Sequence, residues 1–171
     1  EALAEHIIGA SRAAALERIA ALPKGTTTNT MTIDGLDKPL DLVAALTVAD
    51  DGIHVDYDGT SPVVRKGINV PLAYTRAYTA FGLACAIAKG IPNNAGSLSV
   101  WHIGAPEGSI LNAPRGAAVS SRHIIGQMLP DVVFGCLAPL MPEVIPAEGT
   151  NCLWNVTLRG RAKRDNLGAY G

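Results

Sequence analysis

Residues 72–88 (LAYTRAYTAFGLACAIA) carry one charge, Arg76, and are apolar almost all round. A helix without a polar face has no side to give to water, so most of its surface must be covered by this chain or by a partner. The flanks read as helix boundaries. Asn69 is placed to cap, Pro71 suits a first turn, and Lys89-Gly90 reads as a stop. Arg76, in that setting, needs a partner carboxylate or an interface.

The material available to cover such a helix reads as α+β. Residues 26–33 are rich in β-branched side chains, Asp34-Gly35 signals a turn, and 40–48 is a largely apolar strand. Asp50-Asp51-Gly52 turns into 53–57, where Ile53, Val55 and Tyr57 alternate with His54 and Asp56. Three strands joined by tight turns form an antiparallel meander with one buried face, and His54 falls on its solvent side. Short strands are expected at 99–103 and 109–112. A helix over 2–22 shows Leu3, Ile7, Ile8, Ala15, Ile19 and Leu22 on one side. Another is expected from Ser120 or Ser121 to residue 141, kinked or restarted at Pro130, which lacks an N–H. A last strand over 152–158 leads into a tail, 159–171, that reads as a hairpin beginning without a return. The expected fold is therefore an antiparallel β-meander with helices 70–89 and 120–141 on one face, in a single domain. A helix opening on residue 1 with no cap before it points to an internal fragment of a larger subunit. Such a piece should expose an apolar patch larger than roughly 300–600 Å², or cover it in an oligomer.

Charge excludes several classes of function. Fourteen basic and 15 acidic residues give a net charge of −1, which offers no footprint for nucleic acid or an anionic membrane. The basic run at 159–164 reads as a solvated edge or turn. No apolar run reaches the roughly 20 residues that span a bilayer. Cys85, Cys136 and Cys152 are an odd, widely spaced set in apolar surroundings, which fits buried thiols in the cytoplasm.

Phosphate-loop, dinucleotide, zincin and nucleophile-elbow motifs are absent from the sequence. His6, His54, His102 and His123 are scattered, with no partner at metal-ligand spacing, so no metal, flavin, nucleotide or nicotinamide is expected here. The most suggestive polar stretch follows Ala113-Pro114-Arg115-Gly116. Ser120 and Ser121 are placed to cap a helix whose first turn carries Arg122 and His123, with Gln127 on the same face. Two further polar loops hold Asp58, Thr60 and Ser61, and Asn93 and Asn94. In one reading the three loops form a wall of an active site, with Arg122 orienting a carbonyl or carboxylate and His123 moving a proton. In the other they cap helices and form turns.

Ordered blocks carry a family resemblance. DYDGTSP (56–62), RKGINVPLA (65–73), IPNNAG (91–96), PEGSILN (106–112) and Pro114 with Ala117-Ala118-Val119 resemble the core of the hydantoinase B/oxoprolinase family. The match runs from about residue 25 to 154. Where many members carry glycines and an Asn-Val-Glu-Thr-Ser string, this chain reads SSRHIIGQ (120–127), which is similar to the N-methylhydantoinase B-like branch.

The resemblance implies the B-type subunit of an ATP-dependent enzyme opening a cyclic amide such as a hydantoin or 5-oxoproline. A ketone carboxylase of the acetone or acetophenone type is the alternative, and a scaffold segment without chemistry of its own the third reading. It implies a hydantoinase A-type partner that binds ATP, and a small-molecule substrate. In the carboxylases it also implies a divalent metal held N-terminal to the stretch that matches here. On this reading the isolated stretch is inactive.

Overall fold

The computed structural model describes residues 1–35 and 37–151, together with the backbone of 155–158 and 167–170. Cys152 and the basic run 159–164 lie outside the described residues.

Helix α1 (Ala2–Ala20) leads to strands β1 (Gly25–Ile33), β2 (Leu40–Val48) and β3 (Ile53–Asp56). In β2 the residues Leu40, Leu42, Ala44, Leu46 and Val48 are all buried, while Asp41, Val43, Ala45 and Thr47 between them are half-exposed. Each buried leucine or valine here contributes roughly 1.5–3 kcal/mol. A one-residue slip would turn all of them outward, so the register is firmly set. β1 pairs with β2 antiparallel from Gly25↔Val48 to Ile33↔Leu40, and β3 pairs with β2 from Ala45↔Asp56 to Val48↔Ile53. The expected meander is present.

The chain then crosses over. Helices α2 (Leu72–Ile87) and α3 (Ala95–Leu98) connect β3 to β4 (Trp101–Gly104), which joins the sheet parallel to β3, in the order β1-β2-β3-β4. Parallel neighbours need such a helical crossover. The sheet is thus mixed, and the strand expected at 99–103 forms two residues later. The 109–112 stretch is not a strand; it turns, touching the sheet region only through an isolated bridge from Ser109 to Pro62.

The polar segment after residue 113 folds as two pieces, α4 (His123–Gly126) and α5 (Leu129–Leu137), instead of one helix to 141. Pro130 sits in the first turn of α5, where its missing N–H costs nothing, so the helix restarts there. Helix α5 lies on β1 and β2. The Thr27 hydroxyl donates to the Cys136 carbonyl at 2.7 Å, and the Asn29 amide to the Val132 carbonyl at 3.0 Å. Helix α2 packs against α5 and β4, and at Gly82 the approach to α5 is close enough that a Cβ would lie 2.8 Å from Pro130 Cα. The nearly uncharged helix is covered by α5 and the sheet on one side, where Thr75, Thr79, Ala80, Gly82, Leu83 and Ile87 are buried, and not on most sides as expected: Ala73, Ala77 and Cys85 are exposed. Its outer side keeps Phe81 61% exposed, and Leu98 of α3 is also exposed. On α1 only the second half matches its expected apolar face. Ala15 and Ile19 are buried, while Leu3, Ile7 and Ile8 remain exposed.

Three local expectations are corrected by where hydrogen bonds go. Asn69 does not cap α2, whose N-cap is Pro71 with no side-chain bond. Asn69 is wholly buried instead, accepting from the Val64 N–H and donating to the carbonyls of Val64, Lys66 and Ala118 at 2.8–2.9 Å. Arg76 meets no carboxylate among the described residues. Its Nε donates to the Ile103 carbonyl at 3.0 Å, satisfying the outward-facing edge of β4. The tail does return: β5 (Asn155–Leu158) pairs antiparallel with β6 (Leu167–Tyr170).

Candidate functional site

Helix α5 packs on β1 and β2, and α2 on β4, from the face carrying Leu42, Leu46 and Val55, while Thr26, Thr28, Asp56 and His102 on the opposite face are exposed. Strand registry sorts the open face into rows. One row reads Thr26, Thr47, His54, His102, and the next reads Thr28, Ala45, Asp56, Gly104. In the first, the Thr26 and Thr47 hydroxyls lie 2.8 Å apart, and the His54 and His102 rings stack at 4.4 Å. The second row is low because Ala45 and Gly104 are small, and a Cβ at Gly104 would meet nothing within 4 Å. The result is an open groove of about 880 Å³ lined in part by His54, His102, Asp56, Asp58 and Arg76. Arg76 reaches it around the edge of β4.

Asp51 stands at the head of the groove, in the turn before β3. Its carboxylate accepts from His54 Nε2 at 2.9 Å and lies 3.6 Å from His102 Nε2. The His54 hydrogen bond, opposed by desolvation and helped by the charge of the nearby imidazoles, holds the Asp51 carboxyl below its ordinary value. The three ligand-type atoms all lie within 4.8 Å of one another. The scattered histidines of the sequence are thus partly gathered. His54 is on the solvent side as expected, but it has both a histidine and an acidic partner.

The proposed wall of three loops does not assemble as one surface. Thr60 and Ser61 strap the part of β2 that β3 is too short to cover. The Val43 N–H donates to the Thr60 hydroxyl, which donates back to the Val43 carbonyl, and the Asp41 N–H donates to Ser61 Oγ. Asn94 caps α3 in a reciprocal capping box with Ser97 and donates to Ser11 Oγ of α1 at 2.8 Å. Exposed Asn93 precedes it. Both lie past the C-terminal end of α2, whereas Ser121 donates its N–H to the Gly67 carbonyl at the N-terminal end, roughly 24 Å away along 16 residues.

Around α4 the expected residues do cluster. The N-cap of α4 is Arg122, without a side-chain capping bond, so Ser120 and Ser121 are not caps. The Arg122 guanidinium lies 5.4 Å from the Tyr74 ring centre, a cation–π distance, and donates to the Val119 carbonyl. Tyr74 stacks on Tyr78 at 4.7 Å. Partial burial, reinforced by Tyr78 and opposed by Arg122, pushes the Tyr74 hydroxyl up to about 12. His123 is half-buried, and Gln127 donates to the Asn151 carbonyl at 2.9 Å. Tyr74 and Arg76 are two residues apart on α2, roughly 200° around the helix. The α4 cluster and the sheet groove therefore occupy different sides of α2, and of the predicted residues only Asp58 lines the groove.

No sequence motif marks Asp51, Asp56, Arg76 or His102 as site residues. Asp51 and His54 are three apart across a turn, a weak local signal. His102 joins them only through the parallel pairing of β3 with β4.

A mixed sheet is thus layered on one side by helices, with Asp51, His54, Asp56 and His102 gathered on its other face. All 171 residues match the sequence profile of the Hydantoinase B/oxoprolinase family, and the chain belongs to that family. It is 37% identical over 79 residues to the 5-oxoprolinase of Saccharomyces cerevisiae, covering 46% of this chain and 6% of that protein. Its fold matches an ATP-dependent caprolactamase from Pseudomonas jessenii with a TM-score of 0.73, at 20% identity over 80% of this chain and 24% of the other. A nucleotide-free acetone carboxylase matches at 0.74, with 15% identity over 82% of this chain and 22% of that one. The chain spans under a quarter of the length of the relatives it matches.

Proposed function

We propose that this chain forms part of the B-type subunit of an ATP-dependent cyclic amide hydrolase acting on a hydantoin, an N-methylhydantoin or 5-oxoproline. The observation that carries the reading is the 37% identity to a protein named 5-oxoprolinase. The likeness to acetone carboxylase rests at 15% identity on the fold alone. On this reading ATP, held by a hydantoinase A-type partner, supplies activation of the ring carbonyl.

The groove is chemically suited to a cyclic amide. Such a ring presents a carbonyl beside an N–H. Arg76 offers guanidinium donors for the carbonyl or for a substrate carboxylate, while exposed Asp58 and Asp56 offer acceptors for the N–H. Asp56 already accepts from the Asp58 N–H at 3.0 Å, which fixes the turn that presents both carboxylates. Arg122 and His123 form the second candidate centre. Arg122 would orient a carboxylate, and His123 would move a proton between water and the opening ring.

The test is turnover by the full-length protein together with its ATP-binding partner. Hydantoin, N-methylhydantoin, 5-oxoproline and acetophenone are supplied with ATP, with and without bicarbonate. The hydrolase reading expects ring-opened acid and ADP without any need for bicarbonate. Bicarbonate-dependent carboxylation of the ketone, with no ring opening, would replace it by the carboxylase reading.

A further inference from the structure

We propose that Asp51, His54 and His102 form a binding site for a divalent transition-metal cation, of which Zn²⁺ is the type, at the head of the sheet groove. This assignment stands apart from the hydrolase reading and uses none of its residues.

Two imidazoles and one carboxylate are a donor set suited to zinc and its transition-metal neighbours, and poorly suited to the all-oxygen preferences of Mg²⁺ and Ca²⁺. Zinc bonded to nitrogen and oxygen at roughly 2.0–2.2 Å in a tetrahedron places its ligand atoms about 3.3 Å apart. His54 Nε2 lies 2.9 Å from Asp51 Oδ1 and His102 Nε2 3.6 Å from Asp51 Oδ2, one spacing on each side of that edge, and one ligand atom from each residue falls within 4.8 Å of the others. Small side-chain rotations would admit the ion without moving the backbone.

The backbone is fixed for other reasons. His54 and His102 are direct cross-strand partners in the parallel β3–β4 ladder. Asp51 is held by the turn that follows β2, where the Ala49 N–H donates to the Gly52 carbonyl and the Ile53 N–H to the Val100 carbonyl. Gly52 has φ +150° and packs on Val100 so closely that a Cβ would strike its backbone. The donors are therefore convergent before any ion arrives, which lowers the ordering cost of binding it.

The nearest lysine does not compete for the carboxylate. Lys24 pairs with Asp50 at 3.0 Å and donates to the Ala49 carbonyl. Among the described residues the ion-pair partners of Asp51 are the two histidines. Those histidine side chains are 44% and 40% exposed, so three protein ligands would leave coordination positions open to water or to a ligand in the groove.

The test uses the full-length protein, stripped with a chelator and treated with diethyl pyrocarbonate in the presence or absence of Zn²⁺. Modification is read separately at each histidine by peptide mass spectrometry. Zn²⁺ is expected to slow modification of His54 and His102 by more than ~10-fold and to leave exposed His6 unchanged. Asp51→Asn, a surface substitution, should raise the Zn²⁺ concentration needed for protection by at least ~10-fold, since even residues that only support a metal ligand change affinity 10–100-fold. Equal rates at His54 and His102 with and without Zn²⁺ would overturn the assignment. So would equal protection of His6, or zinc protection that Asp51→Asn leaves untouched.

Discussion

The hydroxyls of Tyr57 and Thr79 lie 2.7 Å apart, and both residues are wholly buried. Tyr57 ends the third strand's alternation and Thr79 sits midway along α2, so this one contact ties the sheet to the central helix. Burial strongly disfavours ionisation of Tyr57, so the phenol remains a neutral partner at any ordinary pH. Tyr57→Phe is expected to destabilise the protein by about 1–3 kcal/mol, because it leaves the Thr79 hydroxyl without that partner. Adding Thr79→Val should cost less than the sum of the two single changes. Urea melts of the three variants check this, and strict additivity would show that the pair does not act as a unit.

Asn69→Ala removes one buried amide that holds Val64, Lys66 and Ala118 together. The orphaned N–H and carbonyl groups each cost roughly 1–3 kcal/mol where water cannot replace the amide. A loss of at least ~2 kcal/mol is expected in thermal unfolding, with faster proteolysis of the 64–70 and 113–121 loops.

Gly82→Ala sets two effects against each other. Helix propensity favours alanine by about 1 kcal/mol. The new methyl, however, would lie 2.8 Å from Pro130 Cα and 3.1 Å from Val133 Cγ2. Overpacking of this kind costs about 1–3 kcal/mol, so net destabilisation is expected. A raised melting temperature would show that α2 and α5 can move apart freely.

The cysteines should differ in reactivity. Cys85 is exposed on α2, whereas Cys136 is buried on α5 with its thiol pushed up to about 11, chiefly by desolvation. Iodoacetamide at neutral pH should label Cys85 and reach Cys136 only on unfolding. The raised value also fixes a sign. In the unfolded chain the thiol ionises near 9, so its contribution to stability is complete below that pH and is lost as pH rises from about 9 through 11. Stability measured across that window should fall, and the Cys136→Ser variant should show a smaller slope.

On the proposed hydrolase reading, His123→Ala in the full-length protein is expected to lower turnover at least ~100-fold, the lower end of what a general acid or base supplies. Unchanged turnover would remove the proton-transfer role and leave the groove of Asp56, Asp58 and Arg76 as the remaining centre.

What the sequence determined by itself was much of what depends on short-range periodicity, though not the first half of α1, whose Leu3, Ile7 and Ile8 stay exposed. The alternation of β2, the tight turn at Asp50-Asp51-Gly52, the helix around Arg76 and the restart at Pro130 are written in spacing and turn chemistry, and the ordered blocks from Asp56 to Val119 identified the family. Tertiary structure decided the partners. Asn69 sits where a cap is expected, yet loops drawn from both sides of α2 enclose it, because a buried amide is held by whichever backbone groups need it. Ser120 and Ser121 precede a four-residue turn instead of a long helix, so they have little to cap. Asp58 and Arg122 fall on different sides of α2, which no reading of the loops in order can reveal. His54 and His102 are 48 positions apart in the chain. They become neighbours only because the crossover through α2 lays β4 parallel to β3, and a long-range pairing of that kind leaves no periodic trace in either strand.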